Sequence, residues 1–276
     1  GHATGCLVVQ ALYESADWAI KRNLMEKLSG HIYNLSMNPY GCRVIQMFLT
    51  VSPKDIQGLI AKELVGHVAE CIESRHGNHV IQKCLEQMPP DSIAFIFKEV
   101  EDQFERMAKH RYGCRVIQRF MENTRPPVGI MHRILAAAHE LATDRFGNYV
   151  VQHVLTHCDL EETRALLKLV AAHFESMAQD KYASNFVEKS FECVSVGHLA
   201  PQLEVERGVL FAAAFDMLDN IVLDGYGNYV VQRMIECSRG EERSELFARL
   251  NLLRPLLQST SLRTAKSILE ELEKET

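Results

Sequence analysis

The amino-acid sequence predicts an all-α protein built as an α-solenoid, in which stacked helical repeats share one continuous core. A six-residue block recurs along the chain, amphipathic stretches with helical spacing separate its copies, and no segment shows strand-like alternation. The seven copies occupy residues 5–10, 41–46, 77–82, 113–118, 147–152, 183–188 and 227–232.

The spacing of the blocks defines the repeat. Successive blocks lie 36, 36, 36, 34, 36 and 44 residues apart, which indicates one structural unit per copy. The longest interval predicts an extra loop at residues 194–208. We expect residues 1–276 to form one domain, whose front repeat is truncated and whose residues 251–276 form a helical C-terminal cap with a charged face.

Each block is predicted to open a helix, because residues that favour the N-cap position stand three places before most blocks. These residues are Asn38, Ser74, Asp144, Asp180 and Asp224. His110 stands in the same place before the fourth block and is the expected exception. Pro39 is predicted at the first helical position, where its missing N–H costs nothing.

A second helix is predicted between each block and the next. Helix-breaking residues follow the blocks at Pro53, Pro89-Pro90, Pro126-Pro127 and Asp159. The stretches 55–68, 92–104 and 161–174 then carry apolar residues at helical spacing.

Within a block, the second and sixth residues lie four apart and share one helix face, with the third residue beside them. The fourth and fifth residues are Val, Ile or Phe in every block and are predicted to be core. We call the second and sixth residues the base-edge pair, and we expect them to face outward as Cys6/Gln10, Cys42/Gln46, Asn78/Gln82, Cys114/Gln118, Asn148/Gln152, Ser184/Glu188 and Asn228/Gln232. We call the third residue the flanking residue, which is Leu7, Arg43, His79, Arg115, Tyr149, Asn185 or Tyr229.

Recurring amides with planar or guanidinium groups beside them are suited to reading the bases of single-stranded RNA. Such residues could instead bond between adjacent helices, but a purely structural position should not vary among Asn, Cys and Ser while its partner stays Gln. The single change to Glu, at Glu188, accompanies Ser184. This coupled variation favours recognition.

The net charge and the sequence motifs exclude several classes of function. With 30 Lys and Arg against 36 Asp and Glu, the net charge of −6 excludes a uniformly basic nucleic-acid binder. The ten-residue windows around the last six blocks nevertheless hold ten basic and four acidic residues, so a basic face is predicted there. Lys83, Arg111, Arg119 and Arg233 are expected either near phosphates or on a solvated helix face. Catalytic and metal-binding motifs are missing from the sequence, so we expect no enzyme, metal or cofactor.

The blocks Gly-Cys-Arg-Val-Ile-Gln, Gly-Asn-His-Val-Ile-Gln, Gly-Asn-Tyr-Val-Val-Gln and Ala-Ser-Asn-Phe-Val-Glu, with their period near 36, resemble Pumilio-homology (PUF) repeats. The resemblance covers essentially the whole chain. It implies a right-handed crescent of seven three-helix repeats, with single-stranded RNA on the concave face, antiparallel to the protein and read one base per repeat.

The resemblance also implies a role in the cell. Members of the family bind 3′-UTR elements of messenger RNA in the cytoplasm, and they repress or destabilise the RNA by recruiting proteins. We therefore expect a monomer without a membrane partner, with protein corepressors on the convex face and the 194–208 loop. The alternatives are a protein-binding α-solenoid scaffold and a structure-selective RNA binder of ribosome assembly.

In that family Asn with Gln goes with uracil, Cys or Ser with Gln goes with adenine, and Ser with Glu goes with guanine. The last rule also has a physical basis, because the carboxylate of Glu188 can accept from both N1–H and N2–H of guanine. Taken from the last block to the first, the base-edge pairs predict the target 5′-UGUAUAA-3′, with UGUA its firmest part. The chain departs from the family at Leu7, which offers no planar group, and in having seven blocks where eight are usual.

Overall fold

The computed structural model describes residues 3–123 and 127–274. Over these residues the regular structure is helical. The α-helices are α1 Ala3–Ser15, α2 Trp18–Leu28, α3 Ile32–Ser36, α4 Gly41–Val51, α5 Lys54–Leu64, α6 Val68–Glu73, α7 Gly77–Gln87, α8 Pro90–Asp102, α9 Phe104–Ala108, α10 Gly113–Asn123, α11 Val128–Ala136, α12 Ala138–Ala142, α13 Asn148–His157, α14 Leu160–Ala172, α15 Phe174–Ala178, α16 Ala183–Val196, α17 Glu204–Asp216, α18 Leu218–Ile221, α19 Gly227–Cys237, α20 Gly240–Leu252, α21 Arg254–Gln258 and α22 Arg263–Lys274. None of the helices in these two ranges is long and apolar enough to cross a membrane.

The helices repeat in the order short, block, long, which confirms the three-helix unit that the resemblance implies. The block helices are α1, α4, α7, α10, α13, α16 and α19. A short helix of four to six residues precedes each of the last six, and a longer helix follows each block helix. The predicted stretches 55–68, 92–104 and 161–174 each cover a long helix and stop at the first residue of the next short one.

The chain divides into two compact units, residues 1–133 and 134–276. In the first unit α1, α4, α7 and α10 pack side by side in chain order. In the second unit α13, α16 and α19 do the same, and α22 packs against α19. The terminal helix buries Ala265, Ile268 and Leu272 and exposes Glu270 and Glu273. Residues 275–276 of the predicted cap lie outside the described residues.

The fourth and fifth residues of blocks two to seven are buried, as predicted. The same prediction is wrong for the first block, where Val8 is 52% exposed and Val9 is half-buried. Each of the other six block helices packs against the short helix before it, whereas no short helix precedes α1 within the described residues.

The turns after the block helices contain the predicted breakers. Pro53, Pro89 and Asp159 immediately precede α5, α8 and α14, and Pro90 is the first residue of α8. Pro127 immediately precedes α11, whereas Pro126 lies outside the described residues.

Two carboxylates join the long helix of a repeat to its short helix. Glu63 on α5 accepts hydrogen bonds from Gly30 N at 2.8 Å and Ile32 N at 3.0 Å, at the start of α3. Glu99 on α8 accepts in the same way from Gly66 N at 2.7 Å and Val68 N at 3.1 Å, at the start of α6. Each carboxylate therefore satisfies N–H groups that the helix itself leaves without an acceptor.

Residues 194–208, predicted as a loop, are largely helical. They comprise the end of α16, a 3₁₀ turn at Ala200–Gln202 and the start of α17. The cause is Arg207, whose side chain is buried. Its guanidinium donates to Ser195 Oγ at 2.6 Å, to Cys237 O at 2.7 Å and to Glu242 Oε2 at 3.0 Å. A buried arginine with these partners fixes the segment in place.

Candidate nucleic-acid interface

A capped turn leads into the block helices of blocks two to seven. The side chain three places before the block accepts two backbone N–H groups, from the residues two and three positions further on. Asn38, Ser74, Asp144, Asp180 and Asp224 all do this, at distances between 2.7 and 3.2 Å. These side chains cap the turn, but they are not the N-cap residues that the sequence predicted. The helix α4 begins at Gly41 with Tyr40 at its N-cap position, so Pro39 lies in the turn and not at the first helical position.

His110 is not the exception that the sequence suggested. Its Nδ1 accepts from Tyr112 N and Gly113 N, both at 3.3 Å, so the ring does the work of an Asp or Asn cap. Accepting two N–H groups requires an unprotonated Nδ1. Burial is the main cause that lowers the pKa of His110, with the nearby Arg106 and Arg111 adding to it and Glu73 opposing it, so the accepting form is favoured.

The first residue of the block lies directly against the short helix. A Cβ on Gly77 would lie 2.6 Å from the carbonyl oxygen of Cys71, and one on Gly227 would lie 2.7 Å from that of Ile221. Glycine thus permits a backbone approach that fixes where the base-edge pair begins. The sixth block has Ala183 at this position.

The structure corrects the expected exposure of the base-edge pairs. The second block residue was expected to face outward, but its side chain is at most 8% exposed in all seven blocks, at Cys6, Cys42, Asn78, Cys114, Asn148, Ser184 and Asn228. The sixth residue is also less open than expected. It is buried at Gln118 and half-buried at Gln10, Gln46, Gln82, Gln152, Glu188 and Gln232.

Hydrogen bonds hold two of the Asn/Gln pairs together. Asn78 Nδ2 donates to Ser74 O at 2.7 Å, and its Oδ1 accepts from Gln82 Nε2 at 2.9 Å. Asn148 and Gln152 repeat this bond at 2.8 Å. Asn228 is tied to the carbonyl of Asp224, while its buried Oδ1 has no hydrogen-bond partner within the described residues. The amides are therefore positioned before any ligand arrives.

The cysteine pairs present a different surface. Cys42 Sγ lies 3.6 Å from Pro39 O, and Cys114 Sγ lies 3.7 Å from Arg111 O. Burial is the main cause that raises the pKa of Cys42, so its thiol is uncharged at neutral pH. These blocks offer a small, nearly apolar contact where three other blocks offer an Asn amide and the sixth offers the hydroxyl of Ser184.

In the first two blocks the glutamine amide donates a hydrogen bond to the protein backbone. Gln10 Nε2 donates to Arg43 O on the next block helix at 3.2 Å. Gln46 Nε2 donates at 3.1 Å to Cys42 O, one turn earlier in its own helix. A thiol is a weak acceptor, so Cys6 and Cys42 do not take the bond that an Asn Oδ1 takes in the Asn/Gln pairs. Each amide therefore has one of its two N–H groups already in use.

All seven flanking residues are exposed, as a stacking role requires. Tyr149 is 45% exposed and Tyr229 is 51% exposed, so both side chains are accessible from solvent. Arg115 Nη1 reaches back to Gln118 Oε1 at 3.4 Å, which links a flanking residue to its own base-edge pair. The exposed Leu7 has only an aliphatic side chain to offer.

Glu188 is the one ionisable side chain at the sixth block position. Burial is the main cause that raises its pKa, Glu192 and Glu236 add to this effect, and Arg233 opposes it. The Arg233 guanidinium comes from the next block helix, α19, and its Nη2 lies 3.7 Å from Glu188 Oε2.

Three of the four cations expected near phosphates lie in ion pairs. Lys83 Nζ lies 2.5 Å from Glu86, Arg119 pairs with both Glu86 and Glu122, and Arg233 pairs with three glutamates. Most of these glutamates follow the ten-residue windows by three positions, so counting charges in the windows overstated how basic this face is.

A pair of a basic residue and an aromatic residue recurs directly before several blocks. Of these basic residues, only Arg111 is among the four cations expected near phosphates. A cation two places before the block lies over the aromatic ring of the next residue, 4.9 Å from the ring centroid for Arg111/Tyr112, 5.2 Å for Arg145/Phe146 and 5.3 Å for Lys181/Tyr182. Arg75 bonds to His76 at the same position. The signal was in the sequence, because these pairs recur at the period of the block.

Comparison with known proteins supports the repeat assignment. Six stretches match the Pumilio-family RNA binding repeat: residues 31–65, 67–101, 103–127, 138–171, 173–201 and 220–250. Each stretch contains one of blocks two to seven, and the first block lies outside them.

Fem-3 mRNA-binding factor 1 of Caenorhabditis elegans is 32% identical over 111 residues, which is 38% of this chain and 18% of that protein. Pumilio homolog 12 of Arabidopsis thaliana is 29% identical over 123 residues, which is 45% of this chain and 20% of that protein. The matches span about a fifth of the length of these relatives.

Solved structures agree over nearly the whole chain. The crystal structure of PUF-8 in complex with PBE-RNA superposes with a TM-score of 0.88 at 28% identity, covering 98% of this chain and 79% of that one. The Puf3 RNA binding domain bound to a Cox17 RNA 3′ UTR recognition sequence gives 0.82 at 26% identity, covering 96% and 80%. The fold is therefore that of the PUF α-solenoids. Since the matched repeats cover more than half of its length, this chain belongs to the Pumilio family of RNA-binding repeat proteins.

Proposed function

We propose that this protein binds single-stranded messenger RNA in a sequence-specific manner, with each repeat taking one base. The observation that carries the proposal is the recurrence, in every block, of a base-edge pair that is at least half-buried, with an exposed flanking residue beside it. The pair offers hydrogen bonds to a base edge, and the flanking residue offers a surface for stacking. RNA-bound PUF-8 and Puf3, to which the chain is similar, support this assignment.

The energetics are sufficient for tight and selective binding. Base stacking on a side chain contributes roughly 1–3 kcal/mol per base. A wrong base costs about 1–3 kcal/mol. Six or seven modest contacts therefore suffice for nanomolar affinity after the cost of association.

The proposed target is 5′-UGUAUAA-3′, running antiparallel to the chain. Fluorescence anisotropy at a stated physiological salt concentration should show nanomolar binding to this RNA and at least about tenfold weaker binding to 5′-UCUAUAA-3′, which corresponds to roughly 1.4 kcal/mol. Equal binding to both RNAs would contradict base-by-base recognition. Binding to neither would favour a protein-binding scaffold.

We further propose that the bound RNA is a 3′-UTR element and that recruited corepressors repress or destabilise the transcript in the cytoplasm. The segment 194–208 and the start of α17 offer a surface for such a partner, since Val196 is 84% exposed and Val205 is 77% exposed. Deleting the segment would remove Arg207 and its network, so substitution is the cleaner test. Replacing both valines by Asp should leave RNA affinity intact and weaken repression of a reporter that carries the target. Unchanged repression would contradict this role.

A further inference from the structure

The contact between Glu188 and Arg233 joins two consecutive repeats. Arg233 directly follows the base-edge residue Gln232 on α19, and α19 packs against α16. Its Nη2 lies 3.7 Å from Glu188 Oε2, and its Nη1 lies 3.3 Å from Glu192 Oε1 and 2.6 Å from Glu236 Oε2. Three carboxylates thus surround one guanidinium.

The ion pair between Arg233 and Glu188 is partly shielded from solvent. The side chains of Arg233 and Glu188 are only 31% and 22% exposed, so solvent screens their attraction less than that of an open pair. Arg233 is also the group that opposes the effect of burial, Glu192 and Glu236 on the pKa of Glu188.

The geometry leaves the carboxylate available to a ligand. A separation of 3.7 Å gives electrostatic attraction without a short hydrogen bond, so both oxygens of Glu188 can still accept from N1–H and N2–H of a guanine. Such acceptance requires the ionised carboxylate, because a protonated one presents a donor to the base.

We propose that Arg233 is a positioning residue that determines guanine specificity in the neighbouring repeat, by keeping the carboxylate of Glu188 charged and in place. This inference rests on the proposed function. It means that the base taken by the sixth repeat depends on a residue of the seventh as well as on its own base-edge pair.

The chain contains a matched control. Arg119 on α10 also bridges glutamates of two consecutive block helices, Glu86 and Glu122. The base-edge residue of the earlier helix is Gln82, which carries no charge. The same kind of ion-pair bridge is therefore present without a carboxylate at the base edge.

The test compares wild type, Arg233→Ala, Arg233→Lys and Arg119→Ala by anisotropy against 5′-UGUAUAA-3′ and 5′-UCUAUAA-3′. Arg233→Ala should lower the preference for G over C by at least about fivefold at pH 7.5. Lowering the pH to about 5.5 should reduce the remaining preference further in Arg233→Ala than in wild type, because the pKa of Glu188 is higher without the cation. Arg233→Lys should retain most of the preference, and Arg119→Ala should leave the ratio unchanged whatever its affinity.

The outcomes separate this inference from the proposed function. A wild type without any preference for G overturns the proposed function itself. A wild type that prefers G, with the same ratio and pH profile in Arg233→Ala, overturns the role of Arg233 alone. A thermal unfolding scan of each variant ensures that the ratios are read on folded protein, and Arg233→Lys keeps the test valid if the alanine variant does not fold.

Discussion

Glu188 differs from the other residues at its block position by one negative charge. In Glu188→Gln the amide offers one acceptor and one donor, so an N–H group of guanine would face an N–H group of the protein. We expect the preference for G at the second base to disappear, a loss of about 1–3 kcal/mol. Anisotropy against RNAs carrying each of the four bases at that position measures the loss, and undiminished preference for G would refute the assignment. Glu161→Gln, at a carboxylate whose side chain is 82% exposed, is the control.

His110 makes the stability of the protein depend on pH. Its pKa in the folded state lies below the usual 6.5. The unfolded chain therefore binds more protons there, and stability should fall as the pH drops below about 6.5. His110→Asn, which places at the fourth repeat the cap found at Asn38, should remove this part of the pH dependence. Urea unfolding at pH 7.5 and 5.5 measures it, and an equal loss in both proteins would rule out the ring as the cause.

At the scale of the element, the joint between long and short helices depends on Glu63 and Glu99. Glu99→Gln removes the charge and replaces one acceptor oxygen by an NH2 group, which would face a backbone N–H group. We therefore expect the free energy of unfolding to fall by about 1–2 kcal/mol. Asp102→Asn, at an exposed carboxylate near the end of the same helix, should change the free energy of unfolding by less than about 0.5 kcal/mol. Chemical denaturation compares the two variants, and equal effects would show that the joint contributes little.

The block helices also show how far sequence reasoning reaches at this scale. The capping residue before a block and the Gly that begins most blocks predict the start of a helix. The apolar fourth and fifth residues predict its buried face. The short helices carry no such signal, because five residues such as Phe104–Ala108 do not complete two turns and show no periodicity. Their positions follow from packing against the first residue of the block, which is glycine in all of these repeats except the one that contains the sixth block.

Contacts between residues far apart in the sequence could not be predicted from it. Several contacts of Arg233 and Arg207 join residues that are 30 or more positions apart, and a charge count in a local window does not detect them. His110 was missed because a ring nitrogen is an uncommon cap.

For the whole molecule, the negative net charge and the many internal ion pairs predict only moderate sensitivity to salt. If the four cations before the blocks, Arg75, Arg111, Arg145 and Lys181, each meet a phosphate, the slope of log K against log salt should be about −3. Arg111→Ala should reduce its magnitude by about 0.7 and weaken binding to 5′-UGUAUAA-3′ and 5′-UCUAUAA-3′ by the same factor.

The control is Arg106→Ala, because Arg106 is exposed in the same unit but pairs with Glu73 at 3.0 Å. Its slope should equal that of wild type. A change in base preference in Arg111→Ala would mean that this cation reads a base and does not contact the backbone.

The Arg207 network also sets an order of events during synthesis. Two of its partners, Val194 and Ser195, leave the ribosome before Arg207, whereas Cys237 and Glu242 follow it by 30 and 35 residues. A guanidinium buried without its carboxylate is strongly unfavourable. We therefore expect α17 to remain undocked on the nascent chain until Glu242 has emerged, so that residues 194–242 complete their folding in one late step.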